Sequence, residues 1–309
     1  MLELTFLGTG AAVPSRDRAM SCVAVKHGPS VVLFDCAEGT QRQLMLSQLS
    51  FMKVSAIFVT HMHGDHMLGL PGLLQTMGFS GRDSPLTVCG PVGFARSYGM
   101  LLGACEGELE YPVEVLELSP GDSVRVPGAT VTAFATQHGT ASLGYVYRED
   151  PLPGRFDKAR AVELGLKPGP DFAAIQRGES VRGVSPDQIV GPERPGLSVA
   201  YTGDTVRLDS IAEACSGVNV LIHESTYASE EGELAAKNLH STCRDAAETA
   251  ASAGAGCLIL THISNRYNET DGLLAQSRSV FPETYVAADM DRFEVSASGV
   301  RQVSEDRRS

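Results

Sequence analysis

The chain has 309 residues, enough for two average domains or one large one, with 43% apolar and 20% charged residues, as in ordinary folded proteins. Its formal net charge of −12 argues against broad nonspecific attraction to nucleic acid, because phosphate binding needs clustered Lys and Arg. No stretch approaches the ~18 apolar residues of a membrane span. The first ten residues lack the basic start and apolar run of a signal peptide.

The cysteines are odd in number, widely spaced and without a CxxC pair. This pattern favours reduced, buried thiols over disulfides or thiolate zinc sites, and it predicts a cytoplasmic protein. The seven are Cys22, Cys36, Cys89, Cys105, Cys215, Cys243 and Cys257.

The N-terminal half predicts short strands with few helices. Alternating or continuous apolar runs indicate strands at 2–7, 22–26, 30–35, 55–60, 86–89, 113–118, 129–136 and 143–147. Helical spacing appears at 39–49 and 93–102.

The C-terminal half repeats a cadence of strand, polar turn and helix. Strands are expected at 197–201, 218–223 and 258–261, with helices at 206–215 and 241–253. Each of these strands ends in a residue that could bind a metal, so the order predicts an α+β fold with its chemistry at strand ends.

Residues 150–190 form an excursion rich in Pro and Gly between these halves. The excursion is basic compared with the rest of the chain. Two interpretations stay open: a solvated surface insertion, or an arm that grips a polyanionic substrate. Its basic residues are Arg155, Lys158, Arg160, Lys167, Arg177 and Arg182.

The segment His61-Met62-His63-Gly64-Asp65-His66 follows a predicted strand. Three imidazoles and a carboxylate within six residues are the donors that zinc and similar cations prefer. A single histidine in a turn is usually structural, but this clustering predicts a metal site.

Three further candidates each follow a predicted strand: His138, Asp204 and His262. Together with the cluster they supply the ligands of a two-metal site, in which a carboxylate bridges ions ~3.5–4 Å apart. His27 is expected in a turn, and His223, at the end of an apolar strand, is expected to be structural.

These motifs resemble the metallo-β-lactamase superfamily, whose fold is a four-layer αβ/βα sandwich, and the resemblance covers nearly the whole chain as one domain, 1–309, with 150–190 as an inserted arm. Further fragments are similar to the ribonuclease Z family of tRNA 3′-processing endonucleases. They are Phe6-Leu7-Gly8-Thr9-Gly10, Glu38-Gly39-Thr40-Gln41-Arg42-Gln43, Gly69-Leu70-Pro71-Gly72-Leu73, His223-Glu224-Ser225-Thr226, His240-Ser241-Thr242 and Thr261-His262-Ile263-Ser264-Asn265-Arg266-Tyr267.

The resemblance implies two zinc ions and a role for each ligand. One zinc would be held by His61, His63 and His138, the other by Asp65, His66 and His262, with Asp204 bridging them. Asp65 would also orient the attacking water and accept its proton.

A leaving ribose oxygen needs a proton, so the resemblance also implies a general acid. His240 is the candidate, kept protonated and aimed by Glu224. The alternative for His240 is a capping role at the helix expected from Ser241. Arg266, beside Ser264, is a candidate phosphate contact, against the alternative of a plain surface charge.

The implied function is cleavage of precursor tRNA after the discriminator base, leaving a tRNA 3′-hydroxyl and a trailer 5′-phosphate. A homodimer and an arm that grips the tRNA elbow are part of the same expectation, although the residues after Gly169-Pro170 lack the Tyr and Lys typical of that arm. The alternatives are a hydrolase of small phosphodiesters or arylsulfates, and a non-catalytic RNA- or metal-binding module.

Overall fold

The computed structural model describes residues 1–303, in which strands and helices succeed each other along the chain. The strands of the first half are β1 (Leu2–Gly8), β2 (Gly10–Ala11), β3 (Cys22–His27), β4 (Ser30–Phe34), β5 (Val54–Phe58), β6 (Leu86–Pro91), β7 (Val113–Leu118), β8 (Ser123–Val126), β9 (Ala129–Ala135) and β10 (Leu143–Glu149). Those of the second half are β11 (Ser198–Tyr201), β12 (Val220–Glu224), β13 (Leu258–Thr261), β14 (Ile263–Ser264), β15 (Thr284–Val286), β16 (Arg292–Ser296) and β17 (Gly299–Val303).

The helices are mostly short and lie between these strands. They are α1 (Thr40–Leu46), α2 (Gly64–Met67), α3 (Leu70–Phe79), α4 (Phe94–Gly103), α5 (Lys158–Glu163), α6 (Pro170–Gln176), α7 (Asp209–Ala214), α8 (Gly232–Asn238), α9 (Cys243–Ala253) and α10 (Asp271–Arg278). No helix among residues 1–303 combines the length and the hydropathy needed to cross a membrane.

Two large sheets contain most of the described strands. One has the order β17-β16-β1-β3-β4-β5-β6-β7, the other the order β15-β13-β12-β11-β10-β9-β8, and β14 pairs with β2 separately. Strands β4 to β7 run parallel, as do β11, β12, β13 and β15. The carboxyl ends of parallel strands meet at one edge of a sheet, so the turns that follow them are brought together.

Alternate residues of each strand face different cores, which gives the molecule four layers. In β3, Val23 and Val25 belong to a core shared by both sheets, whereas Cys22 and Ala24 pack toward α1 and α3. A third core joins the second sheet to α7, α9 and α10. The period of two thus builds a helix–sheet–sheet–helix sandwich, and the expected fold class is confirmed.

The chain divides into two compact units. The main unit comprises residues 1–148 and everything described after residue 196, and the arm unit is Glu149–Gly196. The arm unit has a small apolar core of its own, formed by Ala161, Leu166, Ile175, Val184 and Ile189. Its helix α5 begins at the cap Asp157, whose carboxylate accepts a hydrogen bond from the Arg160 amide.

Most expected elements of the main unit are present within one or two residues of their predicted bounds, but α3 was not predicted. Its sequence contains Gly72 and Gly78, which lower intrinsic helix propensity, whereas Pro71 lies in the first turn, where proline is tolerated. Four buried apolar side chains compensate through tertiary packing: Leu70, Leu73, Leu74 and Met77. The elements α6, α8, α10 and β15 to β17 also lay outside the sequence predictions.

Candidate active site

The histidine cluster lies in the turn between β5 and α2. His61 and His63 come from the extended segment before the helix, while Asp65 and His66 lie in its first turn. The backbone of this turn is tied to the second sheet, because the Leu143 amide donates to the Thr60 carbonyl at 2.9 Å. The turn therefore faces both sheets.

The other expected ligands come from three strand ends of the second sheet. His138 follows β9, Asp204 follows β11, and His262 lies between β13 and β14. The structure brings all seven sequence-predicted ligands into three overlapping groups, whose ligand atoms lie within 4.8 Å of one another. The groups are His61, His63 and His138; His61, His66 and Asp204; and Asp65, His66 and His262.

Asp204 occupies the centre of this arrangement. Its Oδ2 lies 3.4 Å from His66 Nε2 and 3.8 Å from His61 Nε2, while its Oδ1 lies 3.3 Å from His262 Nε2. The two oxygens thus face different groups of nitrogens. A carboxylate in this position can bridge two cations.

Buried atoms without a hydrogen-bond partner test whether metals fit here. His66 Nε2, His262 Nε2 and Asp204 Oδ1 are buried and form no hydrogen bond among the described residues, although each lies 3.3 to 3.4 Å from a polar atom of another member of the cluster. An unpaired buried polar atom costs about 1–3 kcal/mol, and metal coordination would satisfy all three. The donor set of imidazole and carboxylate therefore fits metal ions.

The pKa values of two buried imidazoles, those of His61 and His66, are shifted in opposite directions. Burial and the neighbouring His66 place the pKa of His61 well below its usual range, which favours the neutral form that binds metals. For His66, burial lowers the pKa, but the carboxylates of Asp204 and Asp35 outweigh it and raise the pKa well above its usual range.

Asp35 is a buried residue of this site that the sequence analysis missed. Its Oδ2 accepts from His66 Nδ1 and from the Tyr201 hydroxyl, both at 2.8 Å, and its Oδ1 accepts from the Thr60 amide at 2.7 Å. The first bond leaves His66 Nε2 free to bind a cation. Asp35 directly follows a strand, as Asp204 follows another, and that position was the available signal.

Strained backbone concentrates around the ligands. Of the six non-glycine residues with positive φ among residues 1–303, four touch the ligand cluster or belong to it. Such conformations cost of order 1–3 kcal/mol each and persist where the surroundings enforce them. The four are Ala12, whose amide binds Asp65, Asp35, which binds His66, Leu239, whose carbonyl binds His138, and His262 itself.

His240 and Glu224 form a hydrogen-bonded pair beside the ligands, with His240 Nδ1 2.8 Å from Glu224 Oε1. Burial opposes the charged imidazole, but the charge and hydrogen bond of Glu224 outweigh it and raise the pKa of His240 to about 9.

Thr226 is a further residue of this site that the sequence analysis did not single out. Its hydroxyl lies 2.7 Å from Glu224 Oε2 and 2.9 Å from His262 Nδ1, so it links the pair to the ligands.

The capping alternative for His240 is wrong. Helix α9 begins at Cys243, and its cap is Thr242, which forms a reciprocal capping box with Asp245. His223 is fully buried and its Nδ1 contacts the Glu224 carbonyl at 2.8 Å, whereas His27 ends β3. Neither belongs to a group of potential metal ligands.

Arg266 is already engaged by neighbouring side chains. Its guanidinium lies over the Tyr227 ring, forms an ion pair with Glu231 at 2.5 Å and donates to Ser264 Oγ at 3.2 Å. The Tyr227 ring is in turn 6.1 Å from the His240 ring, between centroids. Arg266 therefore lies near the proposed acid, and a phosphate would have to compete with Glu231 for it.

The chain is similar to known proteins over nearly its full length. It is 46% identical over 303 residues to "Ribonuclease Z" of Methanosarcina mazei, covering 96% of this chain and 98% of that protein. Human tRNase Z, short form, is 28% identical with a TM-score of 0.70, covering 95% and 99% of the two chains.

Two other matches concern the fold and the N-terminal half. The metallo-β-lactamase fold protein YhfI of Bacillus subtilis is 19% identical with a TM-score of 0.69, covering 94% and 98% of the two chains. The family described as Anti-Pycsar protein Apyc1 matches residues 2–146. With the fold, the ligand cluster and these similarities established, the chain belongs to the ribonuclease Z family, within the metallo-β-lactamase fold.

Proposed function

We propose that this protein is a zinc-dependent endoribonuclease that removes the 3′ trailer from precursor tRNA. It cuts after the discriminator base and leaves a tRNA 3′-hydroxyl and a trailer 5′-phosphate. The observation that carries the proposal is the Glu224–His240 pair, which lies directly beside seven convergent candidate metal ligands in a member of the ribonuclease Z family.

The ligand groups support two ions. His61, His63 and His138 would hold one, and Asp65, His66 and His262 the other, with Asp204 between them. Zinc is the cation that this donor set suits first, although imidazole and carboxylate also accept manganese, iron or cobalt. Bound ions would make a water acidic enough to attack at neutral pH and would neutralise charge on the phosphodiester.

The chain's own residues supply the proton transfers. Asp65 orients the attacking water and accepts its proton. His240 gives a proton to the departing 3′-oxygen of the tRNA, which is a poor leaving group without it. Glu224 holds His240 in the protonated form, and Thr226 fixes the second oxygen of Glu224 at 2.7 Å.

The arm unit is proposed as the tRNA-binding exosite. Three of its basic side chains form ion pairs within the unit, namely Arg160 with Glu163, Arg177 with Glu179 and Arg182 with Asp171. Of its other four basic side chains, Arg194 donates to the Pro153 carbonyl at 3.1 Å, whereas Arg155, Lys158 and Lys167 are exposed and no ion pair among the described residues engages them. These three are the candidates for phosphate contacts.

We further infer a homodimer and a cytoplasmic location. The family resemblance and exposed apolar side chains on two adjacent helices, Met45, Leu46 and Phe79, support self-association. The unpaired state of all seven cysteines supports a reducing compartment. Sedimentation at several protein concentrations tests the first inference, and localisation of a tagged chain tests the second.

The deciding experiment is incubation of the zinc-loaded protein with a precursor tRNA bearing a 3′ trailer, mapped at nucleotide resolution. We expect one cut after the discriminator, abolished by Asp65→Ala. The control Asp83→Ala removes an exposed carboxylate elsewhere and should cut normally. Metal-dependent hydrolysis of a small phosphodiester without any tRNA cleavage would instead assign the activity to small esters.

A further inference from the structure

Two motifs of the family resemblance, at residues 6–10 and 38–43, have no part in the metal site, yet the structure joins them through Asp289. The Thr9 amide and hydroxyl donate to Asp289 Oδ1 at 3.0 and 2.7 Å. The Ala19 amide and Gln43 Nε2 donate to Asp289 Oδ2 at 2.6 and 3.0 Å. One carboxylate therefore receives four hydrogen bonds from three separate segments.

These bonds fix both ends of the segment from Thr9 to Ala19. Arg18 adds a further restraint, since its Nη1 donates to Thr9 Oγ1 at 2.6 Å and to the Ala287 carbonyl at 2.8 Å. Gln43 Nε2 also donates to the Leu7 carbonyl at 2.6 Å. The segment is thus a loop closed on Asp289, and we call it the brace loop.

The brace loop reaches the ligand cluster at its other side. The Ala12 amide donates to Asp65 Oδ2 at 2.9 Å, and Ala12 adopts a left-handed conformation with φ of 58° to do so. Strand β2 of the loop pairs with β14, which directly follows His262, and the Ile263 amide donates to the Thr9 carbonyl at 2.8 Å. The loop therefore contacts one candidate ligand, Asp65, directly, and it contacts the residue that follows a second, His262.

We propose that Asp289 is a positioning residue for the reaction, which holds the brace loop so that the Ala12 amide fixes the orientation of the Asp65 carboxylate. The terminal torsion of an aspartate is broad and is not fixed by rotamer preference alone. A charge-assisted hydrogen bond from a rigid backbone supplies the missing restraint. This inference rests on the proposed function, in which Asp65 orients the attacking water.

The first test is Asp289→Asn in the full-length, zinc-loaded protein. The amide group that replaces one oxygen cannot accept hydrogen bonds, so either the Thr9 or the Ala19 end of the loop is released. We expect kcat for precursor tRNA to fall about tenfold with KM changed less than about twofold, and the zinc content to stay the same. Hydrogen exchange of residues 9–19 should become faster.

The matched control is Asp17→Asn, which makes the same chemical change at an exposed position of the same loop. It should leave kcat, KM and hydrogen exchange as in the unsubstituted protein. A loss of kcat in Asp289→Asn without faster exchange in residues 9–19 would overturn the proposal, and so would faster exchange with an unchanged kcat.

A second test keeps Asp289 and removes only the hydrogen bond from the Ala12 amide to Asp65. Replacing Ala12 with lactic acid turns its amide into an ester, which has no N–H to donate to Asp65. The proposal expects the same fall in kcat with unchanged KM, and an unchanged kcat would overturn it. Hydrogen exchange and hydrolysis of a small phosphodiester do not require tRNA, so they test the brace loop even if the tRNA substrate proves wrong.

Discussion

The main unit and the arm unit are built on different scales, and the difference matches the roles proposed for them, chemistry in the main unit and tRNA recognition in the arm unit. The main unit holds its ligands at the ends of strands between three extensive apolar cores. The arm unit has five buried apolar residues and carries its charges on an exposed surface. A small core gives low local stability, which suits a surface that adapts to a large substrate but not a site that fixes reacting atoms.

The largest expected effect on kcat comes from a substitution in the main unit, at Asp204. Asp204→Ala removes the carboxylate whose Oδ2 lies 3.8 Å from His61 Nε2, in one proposed ligand group, and whose Oδ1 lies 3.3 Å from His262 Nε2, in the other. We expect kcat to fall by roughly 10³-fold or more, because charge stabilisation worth several kcal/mol is lost. The loss should be equal for precursor tRNA and for a small phosphodiester. Elemental analysis should show less than the full metal content, and full content with normal turnover would contradict the bridging role.

Replacement of the proposed acid should distinguish substrates by their leaving group. His240→Ala is expected to lower kcat for precursor tRNA by about 10²- to 10³-fold. The leaving group of a nitrophenyl phosphodiester is a nitrophenolate, which departs without a proton, so hydrolysis of that substrate should change little. An equal loss on both substrates would show that His240 acts on metal binding or folding instead.

The pH dependence of kcat tests the role of Glu224 as the partner of His240. The protonated form is the active acid, so activity is present below the pKa of His240 and is lost as the pH rises through it. Glu224 raises that pKa to about 9, and bound cations nearby would lower it. Glu224→Gln should move the alkaline limb of kcat to lower pH by roughly one to three units. An unmoved limb would assign it to another group.

Asp35 supports the site without touching substrate, and its effect should be smaller. Asp35→Asn weakens the acceptor that fixes the His66 imidazole at 2.8 Å. We expect metal affinity to fall about 10- to 100-fold, measured by competition with a chelator. With metal in excess most of the activity should return. Failure of added metal to restore it would indicate a catalytic rather than a supporting role.

The smallest expected effect comes from substitutions in the arm unit, and it should change KM for precursor tRNA only. Replacing Arg155, Lys158 and Lys167 with Gln removes three exposed cations of the arm unit that form no ion pair with any described residue. We expect KM for precursor tRNA to rise, and the slope of log KM against log salt to fall by about two to three. Turnover of a small phosphodiester should not change. The triple replacement of Arg160, Arg177 and Arg182, each already paired, is the matched control.

The sequence predicted which seven side chains would converge, because each expected ligand follows an apolar strand and strand ends are visible in a sequence. The strand-end position of Asp35 was a signal of the same kind that went unused, whereas no sequence pattern connects Thr226 with His262 or Asp289 with Thr9. Their roles depend on contacts between distant segments, such as the 2.7 Å bond from Thr9 to Asp289 across 280 positions. Helix α3 was missed for a related reason, since packing rather than propensity stabilises it.

Buried atoms of His66, His262 and Asp204 form no hydrogen bond within residues 1–303, so the stability of the folded chain should depend on the metal that would bind them. A ligand that binds only the folded state stabilises it by RT ln(1 + [L]/Kd), which is about 4 kcal/mol at a thousandfold excess over Kd. The free energy of unfolding should therefore depend on metal concentration as directly as turnover does. In a cell short of metal, this enzyme would be removed by proteases as well as inactivated, so its abundance would itself report metal status.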